Sequence, residues 1–309
     1  MSASGTHTRF APDRGLTGRM VTTMFFIGLL YVGFTGILIV LLKGAWPLIV
    51  LLSGGLFIAQ FWFSDKITQR AMGAHEVTPE QYPQLHGTID RLCALADMPK
   101  PRVAVADNDM PNAFATGRNP NNAVVCVTTG LLRRLEPEEL EGVLAHELSH
   151  VAHRDVAVMT IAGFLGVLAG AITRIALYTG MWGGGGNRNN NNNDNAAIAI
   201  VLVSLVSMVV YAISFLLTRL LSRYRELAAD RAAAQLTGRP SALASALTKV
   251  TGQIGAIPTQ DLRKAQPYNA FFFAPALSTK EVASQLLSTH PSLEQRLAQL
   301  EKISGELGR

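Results

Sequence analysis

Apolar and polar positions divide this chain into long uncharged runs and mixed segments. The uncharged runs are Met20–Leu42, Gly44–Ser64, Val156–Thr173 (apolar, apart from Arg174, as far as Trp182) and Asn195–Thr218. Each meets the roughly 18 apolar residues that mark a membrane-crossing helix. A helix buried all round in a large soluble core has a similar composition. The first pair, however, has Lys43 as its only interior charge, and the runs are read here as spans. The first run exceeds the roughly 7–15 residues of a signal-peptide core, and no small-residue cleavage site follows it. The chain is therefore expected to stay in the membrane. The expected organisation is a tail over 1–19, a transmembrane hairpin over 20–64, a polar part over 65–155, a second hairpin over 156–218 and a second polar part over 219–309.

The polar part between the hairpins changes period along its length. His75–Met98 carries apolar residues at helical spacing, with Thr78 and Pro79 as a start signal. Val103 and Val105 then alternate with small residues, and Ala123–Thr129 is rich in β-branched residues, with Asn, Pro and Gly between the two. This pattern predicts a small β-hairpin or meander. From Glu136 the helical period returns, with Pro137 in the first turn and Glu136, Glu138 and Glu139 near the positive end of the helix dipole. Gly183–Asn195, GGGGNRNNNNNDN, is of low complexity and is expected to be a flexible external loop.

Composition supports the membrane reading. Hydrophobic residues make up 49% of 309, charged residues only 16%, and the mean hydropathy is +0.23, more apolar than an ordinary soluble domain. The net charge of +5 and pI of about 9.4 trace to arginines beside the runs, not to a nucleic-acid footprint. Arg9, Arg14, Arg19, Lys66, Arg70, Arg154, Arg219, Arg223 and Arg225 flank one side of the expected hairpins, while Lys43, Arg174 and Arg188 lie near the tips. By the positive-inside rule, both termini and residues 66–155 are expected to be cytoplasmic. The two cysteines, Cys93 and Cys126, fit a reducing compartment and exclude a disulfide framework or a thiolate zinc site.

The candidate chemistry lies in LAHELSHVAHRD, residues 144–155. On a helix, His146 and His150 stand one turn apart on one face and can grip one zinc ion. Glu147 lies beside them, where a carboxylate can take a proton from water. A catalytic zinc needs a third protein ligand. The longer HExxHxxGxxH pattern fails, because His153 stands in place of its glycine and Val156 in place of its last histidine. His153 itself lies roughly 10.5 Å along the axis from His146, too far for both to reach one ion.

A distant acid remains, and RYRELAAD, residues 223–230, holds Glu226 and Asp230 four residues apart. Like charges at that spacing repel by a few tenths of a kcal/mol unless a cation is near. A zinc ion on the histidines would be that cation, with Glu226 as a ligand and Asp230 accepting the outer N–H of a ligand histidine. The plain structural alternative pairs Arg223 with Glu226 and Arg231 with Asp230 on a surface helix. From this segment alone both stand.

The order of HELSH, two apolar runs, SRYRELAAD and STHPSLEQRLAQL, preceded by NAFATG and GLLRRL, resembles the HtpX family of integral-membrane zinc endopeptidases, relatives of the CAAX prenyl proteases. The resemblance runs from the first hairpin to near the C-terminus. It implies a multi-pass α-helical membrane protein with a mainly α, α+β zincin-like (gluzincin) catalytic domain. It also implies one Zn²⁺ per chain on His146, His150 and Glu226, with Glu147 as general base and acid. By the same resemblance Asn112 holds substrate backbone, where the alternative is an Asx turn after Pro111. His290 and Arg296 approach the reacting oxygen, where the alternative is a C-terminal helix with Leu293, Leu297 and Leu300 packed inward.

The expected reaction is water-mediated hydrolysis of peptide bonds in misfolded membrane proteins or their cytoplasmic segments, a role in protein quality control and stress response. The expected location is the plasma (inner) membrane, with the site on the cytoplasmic side. The expected partners are membrane-protein or peptide substrates and the lipid bilayer, with no nucleic acid. Two other functions fit the same motifs: a prenyl-peptide-type protease, and a zinc-binding membrane adaptor without activity, against which the intact Glu147 argues.

Overall fold

The computed structural model describes residues 14–42, isolated helical positions between 47 and 62, and residues 73–117, 119–182, 191–256 and 290–308. The chain forms two compact units, one of Met20–Trp62 with Met159–Leu221, the other of Met1–Arg19, Phe63–Val158 and Ser222–Arg309.

The first unit is built from α1 (Arg14–Leu42) and parts of α5 (Asp155–Trp182) and α6 (Asn191–Thr237). Among the described residues three helices are long and apolar enough to cross a membrane, over Arg14–Leu41, Asp155–Ile175 and Ile198–Thr237. The expected span Gly44–Ser64 lies largely outside the described residues. Phe34, Leu38, Phe164, Leu165, Leu168, Val203 and Val210 pack together in the interior. Val21, Phe25, Val32, Val40, Val201 and Val209 stay more than half exposed, as lipid-facing side chains should. Polar residues turn inward: Ser207 and Ser214 are buried, and Thr218 donates to the Ala162 carbonyl at 3.4 Å, the usual cement between membrane helices.

One expectation about this region changes. The helix α6 begins at Asn191, so the last residues of the segment expected as a loop over Gly183–Asn195 are helical. Adding a residue to an existing helix costs far less than starting one, and the apolar run supplies the start. The same helix runs unbroken for 47 residues, so SRYRELAAD, read as helical, lies on the continuation of the fourth apolar run. A bilayer core of about 30 Å needs only about 20 of those residues. The rest, from Ser222 on, belong to the second unit.

In the second unit a four-stranded sheet packs against helices. Its strands are β1 (Ala74–Glu76), β2 (Arg102–Ala106), β3 (Ala113–Thr116) and β4 (Val124–Thr128), in the order β1-β2-β4-β3. The two strands expected to form a hairpin or meander, β2 and β4, instead pair in parallel, and the hairpin is made by β4 with the intervening β3. Burial of both faces explains this. Val103, Val105, Ala113, Ala115, Val125 and Val127 join the main core, while Ala104, Ala106, Phe114, Val124 and Cys126 form a small core on the other face. Strands covered on both sides read as continuous apolar runs, and their partners are set by packing.

The helix expected over His75–Met98 begins only at Pro83, as α2 (Pro83–Ala96), after β1 and a turn. Pro83 has no N–H and pushes the residue before it out of helical backbone, and Tyr82 takes φ −134°. Thr78 closes the turn by accepting from Gln81 and Tyr82 N–H, both at 3.1 Å. The short α3 (Thr129–Leu132) follows β4. Its Gly130 gives its N–H to the Asn108 carbonyl at 2.8 Å, an approach that a side chain would block.

The helix α4 (Pro137–Ala152) starts on a capping box between Glu136 and Glu139. Glu139 also accepts from Ser245 at 2.6 Å and from Lys249 at 2.8 Å, both on α7 (Pro240–Ala256). Val143, Leu144 and Leu148 are fully buried, which anchors α4 and fixes the face that carries the histidines. In α8 (Leu293–Glu306), begun by a Ser292–Gln295 capping box, the buried residues are Arg296, Leu300 and Ile303. Leu293 and Leu297 are only partly buried, so the inward face expected over Leu293, Leu297 and Leu300 is rotated to admit an arginine.

Candidate metal centre

On α4 the imidazoles of His146 and His150 turn their Nε2 atoms toward each other at 3.1 Å. Their outer nitrogens meet carboxylates: His146 Nδ1 lies 2.9 Å from Asp230 Oδ1, and His150 Nδ1 lies 2.6 Å from Asp155 Oδ2. A neutral ring that donates from Nδ1 presents a lone pair at Nε2. Two lone pairs therefore face each other, and Glu226 joins them from α6, with Oε2 3.7 Å from His146 Nε2 and Oε1 3.4 Å from His150 Nε2.

These ligand atoms all lie within 4.8 Å of one another. Three electron-rich atoms converging in a buried site repel unless a cation lies among them. Tetrahedral zinc with Zn–N bonds of about 2.0–2.1 Å sets neighbouring ligand atoms about 3.3–3.4 Å apart. The 3.1 Å between the two Nε2 atoms and the 3.4 Å from His150 Nε2 to Glu226 Oε1 lie close to that spacing, and Glu226 meets His146 with its other oxygen at 3.7 Å, so the three residues fit such an ion.

Glu147 is buried beside the pair and accepts the backbone N–H of Ala115 on β3. Burial holds its carboxyl above the ordinary carboxylate range, and the Glu226 charge adds to this; His146, His150 and the Ala115 N–H oppose it. His290 places Nδ1 3.1 Å from Glu226 Oε2. Arg296 reaches Asp230 through Nε at 2.7 Å and Nη2 at 2.6 Å, with Nη1 3.7 Å from Glu226 Oε2. Burial opposes its charge, but Asp230, Glu226 and Glu147 outweigh that and keep its pKa above the ordinary arginine value.

Asn112 is buried directly before β3, an edge strand of the described sheet. Its N–H donates to Thr128 Oγ1 and its carbonyl accepts from Thr128 N–H, both at 2.9 Å. His153 lies apart from the cluster, with Nδ1 2.8 Å from the Ser149 carbonyl. Of the pairings in the alternative reading of RYRELAAD, Arg231 instead meets Glu306 at 3.1 Å. Cys93 and Cys126 are free and buried. Burial, with the Glu147 charge adding, pushes the Cys126 thiol up to about 12, so it is inert at neutral pH.

Sequence reasoning passed over two residues. Asp155 closes the stretch that carries the histidines, yet nothing in helical periodicity aims it at His150. Arg225, which pairs with Asp155, looked like one more juxtamembrane arginine.

The fold and the His-His-Glu cluster define a membrane-bound metalloprotease. Residues 79–304 match the model of peptidase family M48, and the chain belongs to that family. It is 63% identical over 302 residues to Protease HtpX homolog 1 of Streptomyces coelicolor, covering 97% of each chain. It is 51% identical over 296 residues to Protease HtpX homolog 2 of Methanosarcina mazei, covering 96% of this chain and 97% of that one. Among solved structures, S. mikatae Ste24p shares the fold with a TM-score of 0.52 at 18% identity, over 93% of this chain and 66% of the other.

Proposed function

We propose that the chain holds one zinc ion on His146, His150 and Glu226 and hydrolyses peptide bonds of membrane proteins or their cytoplasmic segments. The observation that carries this is the convergence of two Nε2 atoms, 3.1 Å apart, on the Glu226 carboxylate. Zinc bound there would supply Lewis-acid polarisation of the scissile carbonyl and acidify the attacking water.

Glu147 takes the proton of that water and returns it to the leaving amine. Burial, which raises its pKa above the ordinary carboxylate range, suits a group that must both accept and release a proton. Asp230, accepting from His146 Nδ1, holds that ring with Nε2 inward, and Arg296 holds Asp230. His290 stands beside Glu226, from where an imidazole can donate toward the oxyanion of the tetrahedral intermediate. Asn112, tied through its backbone to Thr128, sits where the edge strand β3 begins, a place suited to an extended peptide.

The distribution of arginines beside the apolar runs supports a cytoplasmic site in the plasma membrane. A site carried on membrane helices favours substrates anchored in the same bilayer, which supports membrane-protein quality control. The test is cleavage of casein and of an unfolded membrane-protein segment by purified protein in detergent. Activity should vanish with chelator and return with zinc. Cleavage that persists in metal-free protein overturns the proposal.

A further inference from the structure

His150 and Asp155 are five residues apart, and on an unbroken helix they could not meet. Residue i+5 lies about 140° around the axis and about 7.5 Å along it. Yet Asp155 Oδ2 is 2.6 Å from His150 Nδ1. The reason is a break: α4 ends at Ala152, and Arg154 takes φ +56°, a left-handed conformation that non-glycine residues seldom adopt. The turn folds the first residue of α5 back against the last turn of α4.

The other oxygen of Asp155 is met by Arg225 Nη2 from α6. Both residues are buried, Arg225 at 7% and Asp155 at 8% exposure. The Arg225 guanidinium also donates to the His153 carbonyl at 3.5 Å, on the far side of the same break. Asp155 is therefore fixed at both ends, against His150 and against Arg225. The arrangement repeats the one at the other histidine, where Asp230 accepts from His146 and is itself held by Arg296.

We infer that Asp155, held by Arg225, is a positioning residue that fixes the tautomer and ring plane of His150, so each ligand histidine carries its own carboxylate–arginine clamp. The inference rests on the zinc site proposed above. A ring donating from Nδ1 keeps its lone pair on Nε2, and the fixed ring plane aims that lone pair at the Glu226 carboxylate. Partners of this kind typically change metal affinity by about 10- to 100-fold when removed.

The rival role for Asp155 is purely structural: an acid in the first turn of α5 favours the positive end of the helix dipole. The two roles part in the metal readout. Zinc affinity of the detergent-solubilised full chain is measured by competition with a chromophoric chelator, alongside melting of the metal-free protein. Asp155→Ala and Arg225→Met should each weaken zinc binding about 10- to 100-fold. In Asp155→Ala the Co²⁺-substituted protein should also show an altered visible spectrum. Should Asp155→Ala fail to fold, the isosteric Asp155→Asn carries the same test, with a smaller expected loss.

A parent that binds zinc, with an Asp155 variant that binds it as tightly while its metal-free form melts lower, overturns this inference alone. A parent that takes up no zinc overturns the metal-site proposal and this inference with it.

Discussion

Arg296 grips Asp230 through two nitrogens, at 2.7 and 2.6 Å, and neither residue is more than 2% exposed. A charge buried this deeply is tolerable only while its partner stays in place. Asp230→Asn should therefore cost about 3–5 kcal/mol by stranding the guanidinium. It should also loosen zinc about 10- to 100-fold by releasing His146. Adding Arg296→Met should restore part of the stability and none of the zinc affinity. Melts of metal-free protein and chelator competition read the two effects separately, and equal recovery of both would remove the special link between Asp230 and His146.

Glu147→Gln should lower peptide hydrolysis by about 10²- to 10⁴-fold, the usual contribution of a positioned base. Zinc content should stay at the parent level. The amide is isosteric and can still accept the Ala115 N–H, so melting should hardly move. Activity within about tenfold of the parent would exclude Glu147 as the base.

Glu226→Ala should lose most bound zinc and all activity, because Glu226 is the one carboxylate facing both Nε2 atoms among the described residues. His153→Ala should keep its zinc, since that ring bonds back to the Ser149 carbonyl at 2.8 Å. Metal content after gel filtration decides between them. A zinc-free His153→Ala beside a loaded Glu226→Ala would require a different ligand set.

Glu139 ties the start of the histidine helix to α7. Burial alone would raise its pKa, but hydrogen bonds from Lys249 and Ser245, the Glu136 N–H and the Lys249 charge outweigh burial and hold it below the ordinary 4.5. A carboxylate depressed by folding stabilises fully above its unfolded pKa, and the gain is lost as pH falls through the folded value. Glu139→Gln should thus melt below the parent at neutral pH, with the gap closing below about pH 4.5. A gap that stays constant down to pH 3 would show that the Lys249 pair contributes nothing.

Gly130→Ala should destabilise the chain by about 1–3 kcal/mol, the usual range for overpacking. A Cβ there would lie 2.2 Å from the Asp109 carbonyl oxygen, and backbone cannot swing aside as a flexible side chain can. Parent-like melting would mean that the loop over residues 107–110 relaxes freely.

By itself the sequence determined whatever depends on neighbours within a few turns. Three of the uncharged runs declared the membrane-length helices found among the described residues, Pro137 and its acids declared the start of α4, and the four-residue spacing of His146 and His150 put both rings on one face. Glu226 and Asp230 were legible as a pair, but what they faced was not, and two pairings remained open. The tertiary structure decided those choices, because they depend on contacts between residues far apart in the chain. Asp230 meets Arg296 sixty-six residues on, and packing alone brings them together. The same holds for the parallel pairing of β2 with β4, which follows from burying both sheet faces. Asp155 is the sharpest case: it lies five residues from His150, yet their contact needs a left-handed Arg154. No local preference predicts that conformation for an arginine; only the surrounding contacts hold it there.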